Sequence, residues 1–497
     1  MPKTQTNPSV GSRPQGDEGG PDNWNLAWET MLDLSGTRPG PLHMRLAAAI
    51  RSAVRDGRLP LGAALPPSRV LAARLGISRW TVTQAYGQLT TEGYLSGRTG
   101  SATRVSWTPG PADDAYEPRA LSRPTLARPA RYDLWTCGPD LRAFPRRKWV
   151  EAIRAAAETA PFDQLDRAAP GGLPVLRSVL AEHLNRSRGA AAEASSISVF
   201  SGAGQAFTQL CRALLAAGHT AIGIEQPGSP RFFQAARTAG LDMVALPADE
   251  HGLVVDALPG HPGLRAISVG AARQVGFGCP LAPERRPALL DWARRADVLI
   301  VEDDYDAELS YDGPTPAVLQ GTDPHRVALL GSMSQAIGPA VSIGWVVTPR
   351  RWVQPVRAEQ ELQTLPPALN QLALVELMRS GAYDRHMRAS RLMYRARRNA
   401  LVAALRRWLP QYPVHGAGSG LEVMLALPPG TDVAGIVAAA ARRDVNIGNL
   451  DELRFTPDLS APGLMIGYGN LRDSVIDEAI ALLADVLRGQ LNQAEAS

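Results

Sequence analysis

The chain has 497 residues, 45% hydrophobic and 20% charged, with a formal net charge of +4. That length allows about two to four domains with full-sized cores. Cys137, Cys211 and Cys279 are too few and too far apart for a disulfide framework or a zinc site, and no apolar run reaches the length of a membrane-spanning helix; a secreted disulfide scaffold is excluded, and a cytoplasmic protein is expected.

Residues 1–23 are Pro, Gly and polar, without a hydrophobic signal core, and read as a disordered tail. A small helical module spans 24–108. Leu42, Leu46, Ile50 and Val54 recur at helical spacing, and Gly57 ends that helix. After Pro66-Pro67, Ser68 is expected to cap a short helix carrying Leu71, Ala72 and Leu75, with Gly76 as a tight turn. Ser78 then caps a second helix with the apolar face Val82, Ala85, Tyr86 and Leu89, closed by Gly93. In this helix-turn-helix layout the second helix enters the DNA major groove N-terminus first. Arg79, Trp80, Thr81, Thr83 and Gln84 fall on its early positions, where an outward orientation is expected. Tyr94 to Ser101 and Thr103 to Val105 read as a two-stranded wing with a Gly-rich tip. Charge agrees: residues 38–108 hold ten arginines against Asp56 and Glu92, a balance of +8, so the remainder sums to −4. A basic module on an acidic body is the electrostatic footprint of nucleic-acid binding.

The stretch from Pro41 to Val105 resembles the winged helix of the GntR superfamily. The likeness rests on Gly57-Arg58-Leu59, Leu65-Pro66, Ser68-Arg69, Leu71-Ala72, Ser78-Arg79, Thr81-Val82, Ala85-Tyr86, Leu89 and Glu92-Gly93-Tyr94-Leu95. It implies double-stranded operator DNA as partner. By this resemblance Arg69 and Arg79 carry phosphate and base contacts, and Gly100 lets the wing approach the minor groove. Ser68, Ser78, Trp80, Thr81, Thr83, Gln84, Arg98 and Arg104 complete the expected DNA-binding set. Arg79 suits a bidentate pair with a guanine edge. Thr83 departs from the arginine often found at its position in the superfamily.

Residues 109–131 are rich in Pro, Ala and charge without apolar periodicity, a linker of roughly twenty residues. Beyond it β-rich runs alternate with helical stretches: 197–200, 220–224, 265–269, 298–303, 327–331 and 343–347. The alternation predicts an α/β domain over 132–350, a mostly parallel sheet between helices with ligands at the carboxyl ends of its strands. A smaller α+β subdomain is expected over 351–497, with strands near 421–427 and 463–468. Gly202-Ala203-Gly204 follows one strand and opens a helix, offering backbone N–H groups to a phosphate. The carboxylates Glu302, Asp303, Asp304, Asp306 and Glu308 invite a metal reading, but alternate residues of a strand point apart and no histidine sits nearby, so no metal is expected.

Residues 132–487 resemble a fold-type I aminotransferase, and its fusion to the winged helix is the pattern of the MocR subfamily. The likeness runs through Gly138-Pro139-Asp140, Phe144-Pro145, Gly172-Leu173, Leu176-Arg177, Arg188-Gly189, Ser201-Gly202-Ala203, Glu302 to Asp306 and Leu330-Gly331-Ser332. It implies a pyridoxal-phosphate (PLP) pocket built from Gly202, Ala203, Gly204, Asp303, Tyr305, Ser332, Ser334, Gln335 and Ser342. Asp303 would meet the pyridine nitrogen and Tyr305 the ring hydroxyl. The resemblance also implies a head-to-tail homodimer.

The departures converge on that pocket. Gln335 stands where the Schiff-base lysine belongs, and the chain has only Lys3 and Lys148 against 50 arginines. Ser342 replaces the phosphate-binding arginine, Ser229 the usual tyrosine, Gly276-Phe277-Gly278 the Pro-Thr-Gly turn, and Met465 the carboxylate-gripping arginine. Arg167 sits where an aromatic usually reaches the phosphate. The expectation is a transcription regulator whose body dimerises and senses a small-molecule effector, with no catalysis and no covalent PLP. Non-covalent PLP, held by Asp303, Tyr305, Ser332 and Ser334, is the alternative.

Overall fold

The computed structural model describes residues 28–32, 34, 40–97, 102–107, 130–135, 138–166, 169–306, 308–313, 315–361, 365–456 and 462–495. The expected tail, most of the linker, Arg98, Gly100, Cys137 and Arg167 lie outside them. The chain divides into two compact units, Met1–Thr125 and Leu126–Ser497.

In the first unit α1 (Trp28–Met31), α2 (Leu42–Arg55), α3 (Ser68–Leu75) and α4 (Arg79–Thr91) precede a short antiparallel pair, β1 (Leu95–Ser96) and β2 (Arg104–Val105). Its core gathers Trp28, Leu46, Ile50, Leu71, Val82, Leu89 and Val105, all at most 2% exposed. Gly76 caps α3 at φ 63°, in the left-handed region where a side chain is strained, so the chain turns there into α4. Ser68 does not cap α3: Pro67 holds the N-cap position and Ser68 is the first helical residue.

The second unit opens with β3 (Tyr132–Asp133), α5 (Arg146–Thr159) and α6 (Pro174–Arg188) and is built on an eight-stranded sheet. Its strands are β4 (Ile197–Phe200), β5 (Ala221–Gln226), β6 (Asp242–Asp249), β7 (Gly252–Leu253), β8 (Ala266–Val269), β9 (Leu299–Asp303), β10 (Val327–Ser332) and β11 (Gly344–Val347), in the order β4-β11-β10-β9-β8-β5-β6-β7. The run β10-β9-β8-β5-β6 is parallel, whereas β11 is antiparallel to both neighbours, which leaves β4 pointing with the parallel set. Leu329 and Val347 enter one apolar cluster, while the alternate residues Ala328, Leu330 and Val346 enter another. Both faces are therefore buried, as a largely parallel sheet requires. Sequence reasoning missed β6 and β7.

Among the covering helices, α7 (Ala203–Ala216) follows β4 and α8 (Pro230–Ala239) follows β5. A second, antiparallel sheet holds Glu422–Ala426 and Gly463–Gly467, the two strands expected in the C-terminal subdomain. Tyr132–Asp133 pairs in parallel with Val445–Asn446, so the entry to the body joins this C-terminal part and not the large sheet.

Candidate functional site

On α4 the first turn is fixed by Ser78, whose Oγ accepts the Thr81 N–H at 3.1 Å. Arg79, Trp80, Thr83 and Gln84 are exposed, Trp80 at 63%, while Val82, Ala85, Tyr86 and Leu89 are buried. Thr81 corrects the expected outward set. It is 6% exposed, and its hydroxyl lies 2.8 Å from that of Ser78. Three positions past the cap the helix has already rotated to its core side, so Thr81 supports the face instead of presenting a contact. Arg69 is exposed on α3, and Arg79 Nε donates to Ser68 Oγ at 3.4 Å, joining the starts of α3 and α4. Arg104, half-buried on β2, donates to the Gly62 carbonyl at 3.0 Å. Arg51 pairs with Glu92 and Arg55 donates to Tyr94 Oη at 2.7 Å; these arginines tie α2 to the end of α4 and to the wing.

In the body, residues at the carboxyl ends of β4, β5, β9 and β10 converge on a cavity of about 570 Å³. Gly202, Ala203, Gly204, Asp303, Tyr305, Ser332, Ser334 and Gln335 line it, joined by Trp135, Ser229, Arg231, Phe232, Val275, Glu422 and Leu453. That volume is typical of a small-molecule site. The first turn of α7 is positioned by backbone: a Cβ on Gly344 of β11 would sit 2.5 Å from the Gly202 carbonyl carbon, so only glycine admits this approach.

Asp303 is 93% buried, and its Oδ1 has no hydrogen-bond partner among the described residues. Burial, followed by the nearby Asp306 and Asp304, holds its carboxyl well above the usual carboxylate range. The neighbouring acids are engaged elsewhere. Glu302 accepts the Leu319 and Gln320 N–H groups at 2.9 and 3.1 Å, and Asp304 takes a two-pronged bond from Arg188 at 2.8 Å. Glu308 meets His183 at 2.6 Å and Tyr383 at 2.9 Å. His183 corrects the reading that no histidine is near: it lies 125 residues away in sequence. These side chains diverge, and among the described residues no cluster of His, Cys, Asp and Glu could hold a metal ion.

Arg273 was missed by sequence reasoning. It is 2% exposed and pairs with Asp306 at 3.3 Å and Glu422 at 3.2 Å, while its Nη1 donates to Tyr305 Oη at 3.0 Å. The Tyr305 phenol, expected to meet a ring hydroxyl, is thus held within this buried network. Ser342 does not line the cavity. It sits in the left-handed region at φ 54° and its hydroxyl donates to the Ser201 carbonyl at 3.2 Å. Phe277 and Met465 do not line the cavity; they pack with Met424, Leu450 and Leu453 in an apolar cluster, of which Leu453 reaches the lining.

Residues 42–105 match the family of bacterial regulatory proteins called gntR. The chain is 31% identical over 460 residues to the HTH-type pyridoxine biosynthesis transcriptional regulator PdxR of Corynebacterium glutamicum, covering 92% of this chain and 98% of that one. It is 29% identical over 469 residues to the probable rhizopine catabolism regulatory protein MocR of Rhizobium meliloti, covering 90% and 94%. In structure it is similar to the multiple substrate aminotransferase of Thermococcus profundus, with a TM-score of 0.69 and 22% identity over 76% of this chain and 96% of that one. An archaeal alanine:glyoxylate aminotransferase gives 0.67 and 23%, over 72% and 91%. Identities this low carry the fold alone. A winged helix joined to an aminotransferase-like body defines a DNA-binding transcription regulator. The chain belongs to the MocR-type regulators of the GntR family.

Proposed function

We propose that the body acts as a dimerisation and effector-sensing module in the cytoplasm, without Schiff-base catalysis. The observation that carries this reading is the cavity itself: it is open and ligand-sized, yet among the described residues its lining holds the carboxamide of Gln335 and no lysine. A carboxamide cannot form the covalent link on which PLP enzymes depend. On the DNA side, Arg79 supplies base contact and Arg69 and Arg104 supply phosphate contacts; Arg98 and Gly100 belong to the same proposed face. Dimerisation is part of the proposal because one winged helix makes too few contacts for operator-level affinity.

One observation favours non-covalent PLP as a second reading. Asp303 presents an unpartnered buried oxygen to the cavity, and Ser332 and Ser334 line it alongside. These residues fit the ring, whereas Gln335 does not fit a covalent hold. PLP supplies an electron sink in enzymes that attach it; here Asp303 would orient the ring and the body would report its presence. Incubation of the full chain with PLP, borohydride reduction and peptide mass analysis tests the proposal, together with a transamination assay over a panel of amino acids. The expected result is no turnover and no adduct on a cavity peptide. Turnover above the protein-free rate overturns it.

A further inference from the structure

In chain order the body is entered through one short stretch, Arg131 to Trp135, and that stretch is pinned to the C-terminal subdomain along its length. Arg131 pairs with Glu478 at 3.1 Å, and the Tyr132 N–H donates to the Asp444 carbonyl at 3.0 Å. Asp133 accepts from the Asn446 carboxamide at 2.8 Å. The Leu134 N–H donates to the Asn446 carbonyl at 2.7 Å, and its carbonyl accepts the Gly467 N–H at 2.6 Å. Trp135 closes the stretch and lines the body cavity. Among the described lining residues it comes first in sequence; the others begin at Ser201, and all but Glu422 and Leu453 belong to the large sheet and the helices and turns around it. The indole is firmly backed. It packs with Phe277, Met424, Leu450, Leu453 and Met465, and a Cβ on Gly448 would collide with its six-membered ring. Main chain stands directly against the ring there, so a push on the indole is not absorbed by a side chain turning aside. It moves the entry stretch, or the strand it rests on.

We infer that Trp135 is the contact through which occupancy of the cavity reaches the DNA-binding unit: an occupant bears on the indole, and the entry stretch, continuous with the chain that leads from the winged helix, moves with it. The inference rests on the reading of this cavity as the effector site. An occupant shifts operator affinity only as far as it favours one arrangement of the protein over another. Here the two arrangements differ in the seat of the indole against Gly448. Other wall residues, such as Ser229 and Ser332, touch the occupant without lying on the path to the winged helix.

Two substitutions act on the ring with no ligand present. Gly448→Ala presses on the indole with a single methyl group. Ser229→Phe fills the cavity from the start of α8, where the serine side chain makes no cap bond for the helix to lose. Operator affinity of the full chain is measured by fluorescence anisotropy at fixed salt, on an operator selected from a random DNA pool. Each substitution should change it by about fivefold or more. Trp135→Ala should erase both changes, so that each double mutant binds as Trp135→Ala alone does. Unfolding midpoints of the same samples show which variants fold; if Gly448→Ala does not, the Ser229→Phe pair decides by itself. A Ser229→Phe change that survives in the Trp135→Ala background overturns the inference. So does a folded Gly448→Ala that binds operator as the wild type does while Ser229→Phe does not. Failure of the underlying reading looks different: neither substitution moves operator affinity in either background.

Discussion

Helix α4 and the body cavity are two surfaces that keep their frames and treat their chemistry in opposite ways. On α4, the cap at Ser78 and the buried face from Val82 to Leu89 place a set of polar and cationic side chains outward, where the family pattern puts them. In the cavity, strand ends and the first turn of α7 form the lining, and we propose that Gln335 and Ser342 stand in place of the lysine and the phosphate arginine of an aminotransferase. Frame and reactivity are separable, and a fold retained at 22% identity carries the former only.

The comparison is tested most strongly at Arg273. Arg273→Met leaves Asp306 and Glu422 buried without their cation, and the body should lose about 3–5 kcal/mol in chemical denaturation. A loss within error would mean that the cavity floor is not held by this network. Next is Glu225, fully buried, with Gly270 N–H on one oxygen at 2.8 Å and its carboxyl pushed by burial up to about 8. A carboxyl raised in the folded state contributes stability that is present below its unfolded value and is lost as pH rises through the folded one. Between about pH 5 and 7.5, stability attributable to Glu225 should fall by about 3 kcal/mol. Glu225→Gln should flatten that part of the denaturation-versus-pH curve, and an unchanged slope would refute the assignment.

On the DNA face the effects are smaller. Arg79→Ala should cost about 1–3 kcal/mol of operator affinity and relax base preference at one position per half-site. Arg104→Ala should weaken all sequences alike and lower the slope of log affinity against log salt by about one. Equal, sequence-blind losses in both would place Arg79 on the phosphates. Smallest is Ser78→Ala, which removes the cap and should destabilise the winged helix by about 1 kcal/mol while the body's unfolding midpoint stays put.

Much of the frame was legible because it depends on local spacing. Alternating runs marked six of the eight strands in the large sheet, and Ser78 was readable as a cap from its place before an apolar helical face. Thr81 was misplaced because its polarity suggested exposure, although a threonine one turn into a capped helix can satisfy its hydroxyl on the cap. Ser68 misled because Pro67 already occupies the N-cap position. Arg273 and the His183–Glu308 pair had no local signal: each is brought to its place by residues far off in sequence, and one arginine among fifty carries no mark of its burial. The direction of Ser342 was equally hidden. Its loss of charge was visible, its donation to the Ser201 carbonyl was not.

The contact of Gly344 with Gly202 sorts the positions around the cavity into two kinds. Because main chain rests on main chain there, the turn that opens α7 holds its place whatever side chains line the walls. Residues such as Gln335 and Ser229 are free to drift and so to retune what the chamber accepts. Position 344 is frozen: any side chain there would push the turn away and cost every possible occupant its seat at once. A mutational library should show that split, with broad tolerance at the wall positions and glycine alone surviving at 344.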